Sequence, residues 1–118
     1  MTLSPLLQPT SFDDLPGWRG DRHGEAFAAF RLSARRALQQ PYKSGSLGID
    51  ATAFEEVFDA AGTAETLDDD TARAFFERWF LPCRVIPEAG GAGLVTGFYE
   101  PEVVASPVRT DEFTVPLL

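Results

Sequence analysis

Apolar residues recur at helical spacing in three stretches of the chain before residue 83. The spacing predicts a first helix over residues 21–40, which Pro41 ends because proline has no backbone N–H to donate. The predicted buried stripe of this helix consists of Phe27, Phe30, Ala34, Ala37 and Leu38. Arginines 31, 35 and 36 lie mostly off the stripe, where they form either a solvated helix face or a basic face for an acidic partner.

The second predicted helix begins after Asp50, which has the residue type and position of an N-cap. Ile49 and Phe54 flank this cap at the two positions of a hydrophobic staple. Gly62 predicts a left-handed stop at the C-terminal end of the helix. The predicted buried stripe is Phe54, Val57, Phe58 and Ala61.

The third predicted helix begins within the three aspartates of residues 68–70 and ends before Pro82. Acidic side chains at a helix start are stabilised by the positive end of the helix dipole. The alternative is a metal site, but a calcium loop needs acids at alternate positions and a distant Glu, and that pattern is absent. The predicted stripe of the helix is strongly aromatic and consists of Ala72, Phe75, Phe76, Trp79 and Phe80.

Beyond residue 83 the pattern changes from helices to short strands, predicted at residues 84–86, 94–99, 103–105 and 113–115. Helices first and strands second is an α+β arrangement. The chain therefore divides into an irregular lead-in (1–20), a segment of three helices (21–82) and a strand segment (83–118). Because strands accumulate up to the last residue, we expect a truncated sheet, whose unpaired edges favour self-association.

The strand over residues 94–99 carries the strongest candidate for a ligand contact. Side chains alternate across a strand, so Gly97 leaves a gap on the face where Tyr99 stands. Such a gap lets a ligand or a second backbone come close, and the alternative is a packed core strand with a bulge at Gly97. Glu100 and Glu102 follow this strand and should project to the same side of the extended chain. They are either exposed acids at the end of the strand or a pair of carboxyl groups for general acid catalysis.

The lead-in holds one other aromatic candidate, in residues 12–18, where Pro16 and Gly17 predict a turn. Trp18 is expected to pack onto the first helix, and the alternative is a platform for stacking a sugar ring.

Charge and composition narrow the function classes. A net charge of −8 argues against nucleic acid and against anionic membrane surfaces as partners. Cys83 and His23, the single residues of their types, exclude an internal disulfide and leave no plausible zinc cluster. We therefore predict no metal site. The chain carries no apolar run long enough to span a membrane, and its start lacks the features of a signal peptide.

Four segments, in order, resemble the membrane-bound lytic murein transglycosylase A family. Residues 12–18 (Phe-Asp-Asp-Leu-Pro-Gly-Trp) resemble its opening Phe-x-x-Leu-Pro-Gly-Trp. Residues 74–77 (Ala-Phe-Phe-Glu), with Phe80 before Pro82, resemble its third-helix segment. Residues 96–102 (Thr-Gly-Phe-Tyr-Glu-Pro-Glu) resemble its Gly-Tyr-Tyr-Glu-Pro signature, and residues 113–117 (Phe-Thr-Val-Pro-Leu) resemble the strand that enters its barrel and insert region.

The resemblance implies an enzyme of the periplasm or outer membrane that acts on peptidoglycan glycan strands. Family members cleave the MurNAc-β-1,4-GlcNAc bond without water and leave a 1,6-anhydromuramyl product. One Asp serves as acid and then as base, and no metal or cofactor takes part. The catalytic module resembles a double-psi β-barrel with an inserted β domain. By this resemblance the residues that line the glycan groove are Thr96, Gly97, Phe98, Tyr99 and Glu100.

The chain departs from the family pattern at three points. The family's catalytic Asp lies far downstream, so no residue of this chain is assigned as catalytic and the chain alone is expected to be inactive. Phe98 stands where relatives often have Tyr, and Ala34 follows Ser33 where they often have Cys. The alternative function is a non-catalytic glycan-binding or interaction module.

Overall fold

Three α-helices and a two-stranded antiparallel sheet make up the main regular structure of the residues that the structure describes. The computed structural model describes residues 2–42, 47–98, 100 and 102–116. In chain order the elements are β1 (Leu7–Pro9), α1 (His23–Gln39), α2 (Glu55–Thr63), α3 (Asp69–Trp79) and β2 (Cys83–Val85). Short 3₁₀ turns occupy Phe12–Asp14, Trp18–Gly20 and Ala51–Phe54. The predicted α+β class and the three predicted helices are confirmed.

The core lies where α1 packs against both α2 and α3. Phe27 of α1 is the largest fully buried side chain, with 0% of its surface exposed. Its ring meets Phe75 of α3 edge-on, with the ring centroids 4.9 Å apart. Three buried alanines, one on each helix, complete the centre of the core: Ala34, Ala61 and Ala72. Small side chains at these positions let the helices approach closely while the larger rings fill the space between them.

A layer of half-buried aromatic rings surrounds this centre and is arranged around Phe30 of α1. Phe30 lies 5.9 Å from Phe58 of α2, 5.9 Å from Phe76 of α3 and 5.6 Å from Phe80, measured between ring centroids. The predicted stripes thus meet one another, with one exception. Leu38 belongs to the predicted stripe but is 44% exposed, because it lies at the edge where α1 passes Gly62.

Both predicted ends of the second helix need correction. Asp50 precedes a 3₁₀ turn, its side chain makes no capping hydrogen bond, and α2 itself begins only at Glu55. Gly62 lies inside α2 and is not left-handed. It lies against α1, where a Cβ at this position would make ordinary van der Waals contacts of 3.6 Å with Arg35 and Leu38, and its carbonyl accepts a hydrogen bond from Arg35 Nε at 3.1 Å.

The aspartates at the start of α3 act as caps and as a link to α1. Asp68 is the N-cap, and its Oδ1 accepts the backbone N–H of Thr71 at 2.8 Å. Oδ1 of Asp69 accepts the N–H of Gly24 at 2.8 Å. A Cβ on Gly24 would stand 2.9 Å from the carbonyl oxygen of Leu67, so only glycine allows α1 to begin this close to α3.

The sheet joins the lead-in to the segment that follows α3. Leu7 pairs with Val85 and Pro9 pairs with Cys83, in antiparallel register. The sequence predicted the second strand, one residue later than observed, but not the first. A three-residue strand that ends in proline shows no alternation, so its pattern could not be distinguished from an irregular segment.

The last three predicted strands are not formed in the described residues of 94–99, 103–105 and 113–115. Apolar side chains of these segments face solvent, as shown by Leu94 and Val95 at 88% and 97% exposed, although Phe113 is half-buried. A strand is stabilised by its neighbours, and among the described residues these segments pair with none. The radius of gyration is accordingly 19.5 Å, against about 13–14 Å for a compact domain of this length.

The central place of Phe27 can be tested by truncation. We expect Phe27→Ala to lower the free energy of unfolding by about 3–5 kcal/mol, because it leaves a cavity between α1 and α3. Leu32→Ala is the matched control, because Leu32 lies on the same helix and is 69% exposed. The control should change stability by less than about 0.5 kcal/mol. Urea denaturation followed by circular dichroism measures both, and equal losses would contradict this description of the core.

The Asp68 cap predicts a pH dependence. Hydrogen bonding by Thr71, through its side chain and its backbone N–H, holds the pKa of Asp68 below its ordinary value. The cap therefore contributes fully above the unfolded-state pKa of about 4 and loses its contribution as pH falls through the lower folded-state pKa. We expect Asp68→Ala to lower the urea midpoint at pH 7, and this difference to shrink below pH 4. Asp68→Asn, which keeps a capping side chain, should stay closer to the parent at pH 7.

Candidate functional site

The segment predicted to contact a ligand is extended and open to solvent. Thr96, Gly97, Phe98 and Glu100 are all exposed, and Phe98 is 90% exposed. A Cβ on Gly97 would meet no atom within 4 Å, so the predicted gap faces open space. Tyr99 lies outside the described residues. The described members of this set are therefore neighbours in sequence, and none of them is buried against a helix.

A local turn follows this segment. The backbone N–H of Thr110 donates to the carbonyl of Phe113 at 3.1 Å, and the N–H of Phe113 donates to Thr110 Oγ1 at 3.0 Å. The chain on both sides of the turn encloses an open cleft of about 720 Å³ lined by residues between 103 and 116. Glu102 lies before the turn and is exposed, like Glu100. The exposure of Glu100 and Glu102 fits the prediction of exposed acids better than that of an acid pair for catalysis.

Trp18 is held by residues from three parts of the chain. Its ring stacks on Phe12 at 4.7 Å and meets His23, the first residue of α1, edge-on at 4.4 Å. Packing onto the first helix is thus confirmed. The sequence did not predict the third contact, in which the indole Nε1–H donates to Glu77 of α3 at 2.9 Å. Gly17 makes the turn possible, because its φ of 78° lies in the left-handed region that favours glycine.

A polar cleft of about 420 Å³ opens beside this tryptophan. We call it the motif cleft, and it is lined by Ser11, Phe12, Asp13, Arg19, Arg73 and Glu77. Arg19 Nη2 donates to Asp13 at 2.6 Å, and Arg73 Nη1 donates to the carbonyl of Arg19 at 3.2 Å. Arg73 Nε also lies 3.8 Å from Glu77 Oε1. The lead-in and α3 are thereby connected through polar contacts across the cleft.

The motif cleft contains equal numbers of positive and negative side chains. Two guanidinium groups face two carboxylates, and the hydrogen bond to Asp13, with the attraction of its charge, raises the pKa of Arg19 above its ordinary value. Sequence analysis did not identify this cluster. Arg73 and Glu77 stand four residues apart on α3, which is a detectable signal but also the commonest arrangement of an ordinary surface pair. The sequence could not show that Asp13 and Arg19 of the lead-in join this cluster, because they lie more than 50 residues from Arg73 along the chain.

A third cleft is apolar and lies between the end of α1 and the start of α2. It has a volume of about 870 Å³, and five aromatic rings line it: Phe30, Tyr42, Phe54, Phe58 and Phe80. Glu55, Glu56 and Asp59 stand at its rim. Because Glu55 and Glu56 occupy the first turn of α2, the helix dipole accounts for their placement.

The described part of the chain contains neither a metal-binding cluster nor a helix that could span a membrane. Residues 2–42, 47–98, 100 and 102–116 contain no group of three or more His, Cys, Asp or Glu side chains placed to hold a metal ion. Across the same residues, no helix combines the length and the apolar character needed to cross a bilayer.

Comparison with known proteins gives one informative match. No model of a protein family matches the sequence, and no curated protein matches it either. Among solved structures, the crystal structure of a membrane-bound lytic murein transglycosylase from Agrobacterium tumefaciens is similar, with a TM-score of 0.57 and 32% sequence identity. The match covers 67% of this chain and 23% of that protein, so the chain spans under a quarter of its relative's length.

An identity of 32% indicates membership of the same family as well as a shared fold. It agrees with the four segments that resemble this family in the same order. The chain therefore belongs to the membrane-bound lytic murein transglycosylase family and corresponds to an N-terminal portion of it.

Proposed function

We propose that this chain is the N-terminal part of a peptidoglycan lytic transglycosylase. The reaction is cleavage of the MurNAc-β-1,4-GlcNAc bond with formation of a 1,6-anhydromuramyl product. The observation that carries the proposal is the 32% identity to a membrane-bound lytic murein transglycosylase over 67% of the chain. The ordered family segments in residues 12–18, 74–80, 96–102 and 113–117 support it.

The chemistry needs only one carboxyl group. The acid protonates the glycosidic oxygen as the bond from that oxygen to C1 of the muramyl residue breaks. The resulting carboxylate then takes the proton of the muramyl 6-hydroxyl, whose oxygen forms the new bond to C1. Atoms balance without water, because the nucleophile belongs to the substrate itself. By resemblance this acid is an Asp downstream of residue 118, so we assign no catalytic residue within the chain.

Within this proposal the chain supplies support and substrate contact. The helices of residues 21–82 form a rigid base, and residues 83–118 begin the double-psi barrel and its insert, after the lead-in of residues 1–20. Thr96, Gly97, Phe98, Tyr99 and Glu100 form one wall of the glycan groove. The solvent exposure of the described members of this set supports the proposal, because a groove wall must be accessible to a polymer.

The proposal also gives a location and an alternative. A protein that acts on peptidoglycan works in the periplasm or at the outer membrane, and the similar solved structure is described as membrane-bound. The alternative is a glycan-binding or interaction module without activity of its own.

Product analysis tests the activity. We expect the 118-residue chain to leave isolated sacculi intact, and the product of the reading frame extended past Leu118 to release 1,6-anhydro-muropeptides. When the digestion is run in heavy-oxygen water, the muramyl C1 of the product should carry no label. Lysozyme is the control, since hydrolysis places a labelled oxygen at that carbon. Labelled products, or no products from the extended protein, would refute the proposed reaction.

The groove wall can be tested by removing one hydroxyl. In the extended protein, Thr96→Val should weaken binding to soluble glycan strands about fivefold, because one hydrogen bond contributes about 1 kcal/mol. Val108→Ala is the matched control, as Val108 is exposed in the same C-terminal region. Isothermal titration calorimetry measures both affinities. Equal affinities for the two variants would remove Thr96 from the groove.

A further inference from the structure

We propose that the motif cleft is a second saccharide-binding site, which takes one neutral pyranose ring of a glycan strand. It is formed by the lead-in and α3, and it shares no residue with the groove wall at 96–100. The nature of the glycan rests on the proposed function, whereas the site itself rests on the geometry of the cleft.

The charges of the cleft select a neutral hydroxylated ligand. Two guanidinium groups and two carboxylates cancel, so the cleft attracts neither an anion nor a cation strongly. Donors and acceptors nevertheless stand side by side, as at Arg19 and Asp13. A sugar hydroxyl donates one hydrogen bond and accepts others, so neighbouring hydroxyls on a ring match such alternation.

Some of the polar atoms in the cleft are positioned for further hydrogen bonds. Within the described residues, the contacts of Glu77 with Trp18 and Arg73 both use Oε1, which leaves Oε2 as a further acceptor on a residue that lines the cleft. The contact of Arg19 with Asp13 uses Nη2, so the N–H groups on Nε and Nη1 remain as donors. One acceptor and several donors on residues that line the same cleft can hold two hydroxyls of one ring.

Phe12 supplies the apolar surface that a sugar ring requires. Its ring lines the cleft while Trp18 stacks against it at 4.7 Å. The C–H groups on one face of a pyranose ring form an apolar patch that packs on an aromatic ring. A cleft of about 420 Å³ also lies within the range of about 300–1,000 Å³ that is usual for small-ligand sites.

Two of the charged side chains are held by contacts within the protein. Arg73 is held by the Arg19 carbonyl at 3.2 Å and by Asp70 at 3.5 Å, and Trp18 holds Glu77 at 2.9 Å. Preorganised groups lose less conformational entropy on binding. A single ring is bound weakly by such a site, but a long strand that also occupies the groove wall gains from the second contact through effective concentration.

The test uses the 118-residue chain and tetra-N-acetylchitotetraose, a soluble and uncharged β-1,4-linked glycan. The indole N–H of Trp18 is the reporter, since it is bonded to Glu77, and Trp79→Phe assigns the two tryptophan signals in ¹⁵N spectra. We expect the Trp18 signal to shift saturably. Glu77→Gln, which keeps an acceptor for the indole, and Asp13→Asn should each raise the Kd at least fivefold. Glu65→Gln, an exposed acid outside the cleft, should leave the Kd unchanged.

The outcomes separate this inference from the proposed function. If only signals from residues 94–100 shift, or if both cleft variants bind like the parent chain, the inference is overturned while the groove wall stands. If no signal shifts, the inference is overturned as well. If the Trp18 signal shifts but the extended protein yields no anhydro-muropeptides, the cleft is a saccharide site and the proposed reaction is wrong.

Discussion

The close approach of α1 to its two neighbours is the constraint on which the rest of the structure depends. Phe27 enters the space between α1 and α3, and its full burial contributes about 2–3 kcal/mol of hydrophobic stabilisation. That burial requires small residues at the crossing points, which Ala34, Ala61 and Ala72 provide. Gly24 plays the same role at the start of α1, where a Cβ would collide with the Leu67 carbonyl. The helical base is therefore specified as much by its alanines and its glycine as by its aromatic rings.

The helices could be predicted because their signal is local. The stripe through Phe27, Phe30 and Ala34 repeats every three or four residues, and the aspartate cap of α3 lies next to the helix it caps. The prediction of a helix end was wrong where a glycine occurs inside a helix, because glycine is found both at helix ends and within helices. Gly62 looked like a helix stop, yet it continues α2, and its carbonyl accepts a hydrogen bond from Arg35 of α1. No local pattern distinguishes a glycine that ends a helix from one that continues it.

Strands and the cleft were harder to predict because both depend on distant partners. β1 forms only because Leu7 meets Val85, and its sequence alone has no strand pattern. Residues 94–98 have that pattern and form no strand in the structure, which shows that alternation without a neighbour is insufficient. The resemblance identified residues 12–18 as a family segment. It could not show that Trp18 bonds to Glu77, which lies 59 residues away and completes the motif cleft.

The Phe-x-x-Leu-Pro-Gly-Trp segment thus has a structural explanation that also bears on function. Gly17 turns the chain, Trp18 fixes Glu77, and Phe12 stacks beneath the indole. A clamp built from ion pairs alone would contribute little to stability at the surface, where exposed pairs contribute about 1 kcal/mol or less. The stacked aromatic pair adds contacts that do not depend on charge, and side chains that are already held in place lose less conformational entropy when a saccharide binds. The arrangement that attaches the lead-in to α3 is therefore also the one that would prepare the cleft for a ligand.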